Sequence, residues 1–277
     1  MTLSPSKKPA LLPVLTNPNI MNENTEKAMS TLAVSEAFYS IQGEGQTQGS
    51  PSFFLRLAGC NLMCGGHGTE KTGQLYGATW RCDSIEVWMK GKKKPFPDVV
   101  EMLGGQKFLD RVKEGAHLVI TGGEPLLQMH QIARFLMFLN DEHKVFPFVE
   151  IETNGTIEPS EYLIKVVNQW NCSPKLFNSG MSFTERVNSK AICKISSARN
   201  KAIFKFVISS EEDWQEVCKT YLAWGFIKRP QIWLMPATDT METFSKVAQV
   251  VAEICKKNTV QFSSRTHICI WDKKTGV

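Results

Sequence analysis

Three cysteines carry the strongest chemical signal in this chain. Cys60 and Cys64 form a Cys-x3-Cys pair just past the strand-like run Phe53-Phe54-Leu55-Arg56-Leu57, and Cys82 follows in Arg81-Cys82-Asp83-Ser84. Thiolates are soft anionic donors that suit iron, and a Cys-x3-Cys-x2-Cys cradle holds a 4Fe–4S cluster through three of its irons. The fourth iron is then open to a substrate or cofactor. Here residues 65–81 stand between the second and third cysteines, so Cys82 is displaced from the usual spacing. Three cysteines with His67 or another ligand would also make a structural zinc site. Coincidence is the third reading. His67 is expected to be incidental, because a fourth protein ligand would close the iron that chemistry needs. Trp80 is placed to shield a cluster from solvent.

A second signal follows in Thr121-Gly122-Gly123-Glu124-Pro125. Two glycines at a strand end let the backbone turn sharply and approach a ligand closely. Glu124 beside them can accept hydrogen bonds from an ammonium. Alone, such a pair marks only a tight turn.

The elements that must position these residues are legible as periodicity. His117–Ile120 is a short apolar run, and Pro125 suits the first turn of a helix with Ile132, Phe135, Leu136 and Leu139 on one face. Phe148–Glu152 reads as a strand ended by Asn154-Gly155. Ala202, Phe204, Phe206 and Ile208 alternate. Ser210 then opens a helix with Trp214, Val217, Tyr221 and Trp224 on one face. Gln231–Leu234 makes a strand, Asp239 with Glu242 reads as a capping pair, and His267–Trp271 reads as a last strand. Strands alternating with helices imply parallel pairing with right-handed crossovers, hence an α/β fold. Ligands on such sheets gather at the carboxyl ends of the strands, where Thr121–Pro125, Thr153–Gly155 and Met235-Pro236 fall.

Composition bounds the rest. The chain has 277 residues, 42% of them hydrophobic and 21% charged, enough for a sizeable core. No apolar stretch approaches a membrane span, and the N-terminus lacks the pattern of a secretory signal, so a cytoplasmic location is expected. Residues 1–31 read as a flexible extension ahead of the folded domain 32–277, which the resemblance described below implies is the catalytic domain. The eight cysteines lack regular pairing; Cys172, Cys193, Cys218, Cys255 and Cys269 are expected to be buried small hydrophobes. A net charge of +5 is mild, and its densest patch is Lys90–Lys94. That patch is either a solvated loop or a docking surface for an acidic electron donor or nucleic acid. No interleaved aromatic and basic stripe points to direct nucleic-acid binding.

Taken together, Cys60-x3-Cys64, Cys82 and Gly122-Gly123-Glu124-Pro125 resemble the radical S-adenosylmethionine (SAM) enzymes. The chain is more closely similar to the 7-carboxy-7-deazaguanine synthase family, from Val34 to the C-terminus. The likeness is carried by Phe38-Tyr-Ser-Ile-Gln-Gly-Glu-Gly45, Phe54–Leu62, Arg81–Ser84, Thr121–Gln128, Ile151-Glu-Thr-Asn-Gly155, Cys172-Ser-Pro-Lys175, Phe204-Lys-Phe-Val207 and Arg265-Thr-His267.

The resemblance implies a partial or modified (β/α) barrel and a homodimer. It implies that Cys60, Cys64 and Cys82 ligate a 4Fe–4S cluster whose free iron is chelated by SAM. Gly123, Ser173, Pro174, Lys175 and the stretch Met235, Pro236, Ala237, Thr238 match SAM-contacting segments, although the family often has Gln where Met235 stands. Ile41, Gln42, Gly43, Arg56, Thr121, His267 and the terminal carboxylate of Val277 match substrate contacts. Arg56 suits bidentate pairing with a substrate carboxylate. Ser84 takes the place of the family's magnesium (Mg2+) ligand. The implied reaction turns 6-carboxy-5,6,7,8-tetrahydropterin into 7-carboxy-7-deazaguanine and ammonia by radical ring contraction. A flavodoxin- or ferredoxin-like protein would supply electrons. A glycyl-radical activase and a non-catalytic zinc or iron–sulfur module are the alternatives.

Overall fold

The computed structural model describes residues 30–66, 77–198, 201–272, 274 and 276. His67 and Val277 therefore lie outside the described residues, as does most of the 1–31 segment; Thr31 already opens the first strand.

Among the described residues, nine strands form one sheet: β1 (Thr31–Ile41), β2 (Pro51–Leu57), β3 (Lys92–Pro95), β4 (His117–Gly122), β5 (Phe148–Thr153), β6 (Gln169–Cys172), β7 (Ala202–Ile208), β8 (Ile232–Pro236) and β9 (Gln261–Phe262). Their order is β3-β1-β2-β4-β5-β6-β7-β8-β9, so the sheet curls as a partial barrel without closing. From β2 through β4 to β9 every neighbouring pair is parallel, while β1 runs antiparallel to both β2 and β3.

Successive side chains point to opposite faces of a strand, and here the two faces differ sharply in chemistry. Leu55, Leu118, Ile120, Ile151, Trp170, Phe204, Phe206 and Leu234 pack under the helices in one hydrophobic core. The alternate positions carry Arg56, Thr121, Glu150, Glu152, Asn171 and Lys205. Register brings them side by side, Arg56 opposite Thr121 and Glu152 opposite Asn171. Polar groups on a buried face must find partners, so this inner face is where a ligand belongs.

The helices follow the sequence reading with three corrections. After a 3₁₀ turn at Pro125–Gln128, the helix Met129–His143 buries Ile132, Phe135, Leu136 and Leu139 as expected. Ser210 caps Glu211–Thr220, accepting from the Asp213 amide, but that helix ends before Tyr221; Trp224 lies in a 3₁₀ turn closed by Gly225 at positive φ. Helix Met241–Asn258 is capped by Thr240 rather than Asp239, because the Thr240 hydroxyl accepts from the Thr243 amide. The segment read as a last strand is the helix Thr266–Trp271. Only Ile268 of that segment is buried, so it lacks the alternating buried face of a strand, and a helix satisfies its backbone within the segment.

All eight cysteines are free. Cys172 and Cys255 are buried and Cys218 is half-buried, but Cys193 and Cys269 are exposed, contrary to the expectation for them. Among the described residues, no helix is long and apolar enough to cross a membrane.

Candidate active site

The displaced cysteine comes home. The Cys82 amide donates to the Cys64 carbonyl at 3.1 Å, which closes the long excursion and brings the third thiol within electrostatic reach of the other two. The Cys60 thiol accepts from the Leu62 amide at 3.4 Å, fixing the turn after β2. Burial pushes the Cys64 thiol up to about 12 and the Cys60 thiol upward too; neighbouring thiols add to the rise, and the Lys175 ammonium opposes it. Such thiols stay protonated until a metal displaces the proton. Among the described residues, no three His, Cys, Asp or Glu side chains are arranged to hold a single metal ion. The donor set fits an iron–sulfur cluster: three soft sulfurs on one partly buried loop, with a lysine alongside.

The two glycines after β4 press that strand end against the cysteine loop. Gly122 has φ +119, and any side chain there would overlap the Leu57 backbone. A Cβ on Gly123 would overlap the Gly59 carbonyl and stand 3.0 Å from the Cys60 Cβ. Glu124 does not wait for an ammonium. Its buried carboxylate accepts from the Leu126 amide (2.9 Å), the Thr153 hydroxyl (2.8 Å) and the Asn154 amide (2.7 Å). It clamps the carboxyl ends of β4 and β5 together, so most of its accepting capacity is spent inside the fold.

The segments matched to SAM lie on the same rim. The Ser173 amide donates to Thr153 O at 2.7 Å, and the Lys175 ammonium, past Pro174, donates to the Ser173 hydroxyl at 3.1 Å. Lys175 also sits 5.8 Å above the half-buried Trp80 ring. At the end of β8, Met235 pairs with Val207 and Pro236 with Ile208, and the Ala237 amide donates to Ile208 O. Thr238 O accepts from Arg265.

Of the described positions matched to substrate, Gln42, Arg56 and Thr121 meet on the polar face. Ile41 ends β1 and leads into Gln42, whose buried amide donates to Glu152 at 3.3 Å. The Thr121 hydroxyl donates to the same carboxylate at 2.6 Å. Gly43 touches His267 so closely that a Cβ would overlap the imidazole, and Gly43 O accepts from the Thr266 amide at 2.9 Å. Burial lowers the pKa of His267, against the opposing pull of Glu44. Arg56 is already paired, donating to Glu36 at 2.7 Å and lying 5.1 Å over the Phe38 ring. The Ser84 hydroxyl lies 3.4 Å from the Cys82 sulfur.

Five further side chains complete the site. Lys205, on β7, pairs with Glu44. Arg265 donates to Glu44 at 3.2 Å and to Asp83 at 2.8 Å, besides Thr238 O. Glu152 holds Gln42 and Thr121. Burial alone would raise the Glu44 carboxyl, but Lys205, Arg265 and His267 hold it well below the usual carboxylate range. Glu44, Asp83, Glu152, Lys205 and Arg265 all stand within the segments that carry the family likeness, but neither their types nor their spacing assigns them a role. The available signal is charge inside a strand: Lys205 interrupts the otherwise apolar β7, and Glu152 with Glu150 alternates with apolar residues along β5.

A parallel α/β half-barrel with three thiols at its carboxyl-terminal rim and a polar inner face defines the radical SAM class of architecture. Comparison with known proteins agrees. A 7-carboxy-7-deazaguanine synthase from Pyrobaculum aerophilum is 30% identical over 252 residues, covering 90% of this chain and 99% of that protein. One from Hyperthermus butylicus is 30% identical over 258 residues, covering 89% and 95%. The crystal structure of QueE from Escherichia coli shares the fold, with TM-score 0.59 and 23% identity over 86% of this chain and 95% of that one. No family model matches the chain. The chain belongs to the 7-carboxy-7-deazaguanine synthase family, which sets aside both the glycyl-radical activase and the zinc-module readings.

Proposed function

We propose that this chain converts 6-carboxy-5,6,7,8-tetrahydropterin to 7-carboxy-7-deazaguanine with release of ammonia. The observation that carries this reading is the return of Cys82 to Cys64 beside a polar inner face, in a chain of this family. Cys60, Cys64 and Cys82 would hold a 4Fe–4S cluster, and Gly123, Ser173–Lys175 and Met235–Thr238 would hold SAM. When bound, these groups supply the electron and the 5′-deoxyadenosyl radical that begin the ring contraction.

The chain's own work is binding and orientation. Arg56 keeps guanidinium N–H donors beyond the one spent on Glu36, and these are available to the substrate carboxylate. Gln42 and Thr121 fix the Glu152 carboxylate, which leaves its remaining lone pairs for the pterin's N–H groups. His267, held neutral by burial, walls the pocket above Gly43.

Magnesium is assigned to Ser84, whose hydroxyl stands at the cysteine loop and whose neighbour Asp83 adds negative charge. A homodimer and a flavodoxin- or ferredoxin-like electron donor belong to the same proposal. The exposed lysines of the Lys90–Lys94 segment suit an acidic donor. The test is anaerobic turnover of the carboxypterin by iron-reconstituted protein with SAM, a reductant and magnesium, read by mass spectrometry. Formation of 7-carboxy-7-deazaguanine is the expected result. SAM cleavage with the pterin untouched would contradict the substrate assignment.

A further inference from the structure

The spacing between Cys64 and Cys82 poses a physical problem that the sequence does not solve: what brings the third thiol back after residues 65–81. The answer lies in a clasp that grips both ends of the excursion. At its start, the Gly65 amide donates to Ser179 O at 3.0 Å; at its return, the Thr79 amide donates to Asn178 O at 2.9 Å. The Trp80 indole N–H donates to the Asn178 side-chain oxygen at 2.9 Å. Two adjacent residues thus hold both limbs. Between the limbs, a Cβ on Gly65 (φ +85) would stand only 2.7 Å from the Arg81 Cα, so glycine is required where the strands of the neck cross.

The platform beneath is itself fixed. Asn178 is buried, and its amide N–H groups donate to Val207 O and to the Asp213 carboxylate, each at 3.0 Å. With both N–H groups spent, its oxygen has one orientation left, toward Trp80. The Phe177 amide donates to Glu216, which pairs with the buried Arg186 at 2.7 Å. Arg186 and the Tyr221 hydroxyl both donate to Lys175 O. Closing a loop costs free energy that grows only slowly with its length, so a clasp at the neck makes the length of the excursion nearly irrelevant.

We propose that Asn178 is a positioning residue that delivers Cys82 to the cluster site by gripping the neck of the 65–81 excursion. The inference rests on the reading of Cys60, Cys64 and Cys82 as the cluster ligands. It also couples cluster assembly to the segment Ser173–Lys175, which the same platform carries.

The test is anaerobic reconstitution of the full chain with iron and sulfide, reading iron and acid-labile sulfide per chain, with far-UV circular dichroism of the iron-free protein as the measure of folding. Asn178→Ala is expected to bind the cluster roughly 10-fold more weakly, as for other residues that orient ligands, with native circular dichroism. Gly65→Ala, which forces the neck apart without touching Asn178, should lose cluster in the same way, and Trp80→Phe should lose less. If Asn178→Ala does not fold, Gly65→Ala and Trp80→Phe carry the test. Wild-type iron and sulfide in Asn178→Ala or, in its place, in Gly65→Ala would overturn the proposal. Full cluster content in Cys82→Ala would overturn instead the ligand assignment beneath it.

Discussion

Glu44 shows what a single side chain does here. It sits between glycines in a loop, yet it receives Lys205 from β7 and Arg265 from beyond β9. Replacing it by Gln leaves Lys205, almost fully buried, without its counter-charge, and Glu44→Gln should cost about 3 kcal/mol of stability. The pH dependence has a definite sign. A carboxyl held below its ordinary value of 4.5 contributes stability that is full above that value and is lost as pH falls below it. The melting temperature of the wild type should therefore fall more steeply below pH 4.5 than that of Glu44→Gln, and parallel curves would refute the pairing. His267 adds a loss at higher pH: lowered below 6.5 by burial, it opposes folding once pH drops beneath that value. His267→Asn should flatten that part of the melting curve. The cysteines were legible at this scale because type and spacing alone suggest a soft-metal site. The Glu44–Arg265–Asp83 network was not, because its members lie far apart in sequence and only the folded sheet joins them.

At the scale of elements, the decisive contact is between the end of β4 and the cysteine loop. Gly122 and Gly123 permit it, and the Glu124 amide completes it by donating to Gly59 O at 2.9 Å. A side chain at Gly123 meets backbone, which cannot step aside. Gly123→Ala should cost about 1–3 kcal/mol in chemical denaturation, as overpacking does, and should abolish turnover even where the chain still folds. Full turnover in that variant would show that the close approach is dispensable. Most strands and the long helices could be read from period and caps. The segment His267–Trp271 could not: its alternating apolar residues fit a strand, but in the fold only Ile268 is buried and the segment closes its backbone bonds as a helix. Thr240 displaced Asp239 as cap for a similarly local reason, the hydroxyl that reaches the Thr243 amide.

For the whole molecule, the two faces of one sheet divide the labour. The apolar face with its helices supplies the stability, while the inner face keeps Arg56, Thr121, Glu152, Asn171 and Lys205 in register around one space. Alternation along β5 and β7 made this arrangement readable in principle, since Glu152 and Lys205 break the apolar pattern; the curl that turns the face inward is a property of the assembled sheet. The proposed chemistry stands or falls on Cys82, which despite its remote position would complete a three-thiol cluster site with Cys60 and Cys64. The most direct test is electron paramagnetic resonance of the reduced, anaerobically reconstituted protein, with and without SAM. The wild type should give a 4Fe–4S signal that changes when SAM is added, and Cys82→Ala should give none. An undiminished, SAM-responsive signal in Cys82→Ala would contradict the assignment of Cys82 as a cluster ligand.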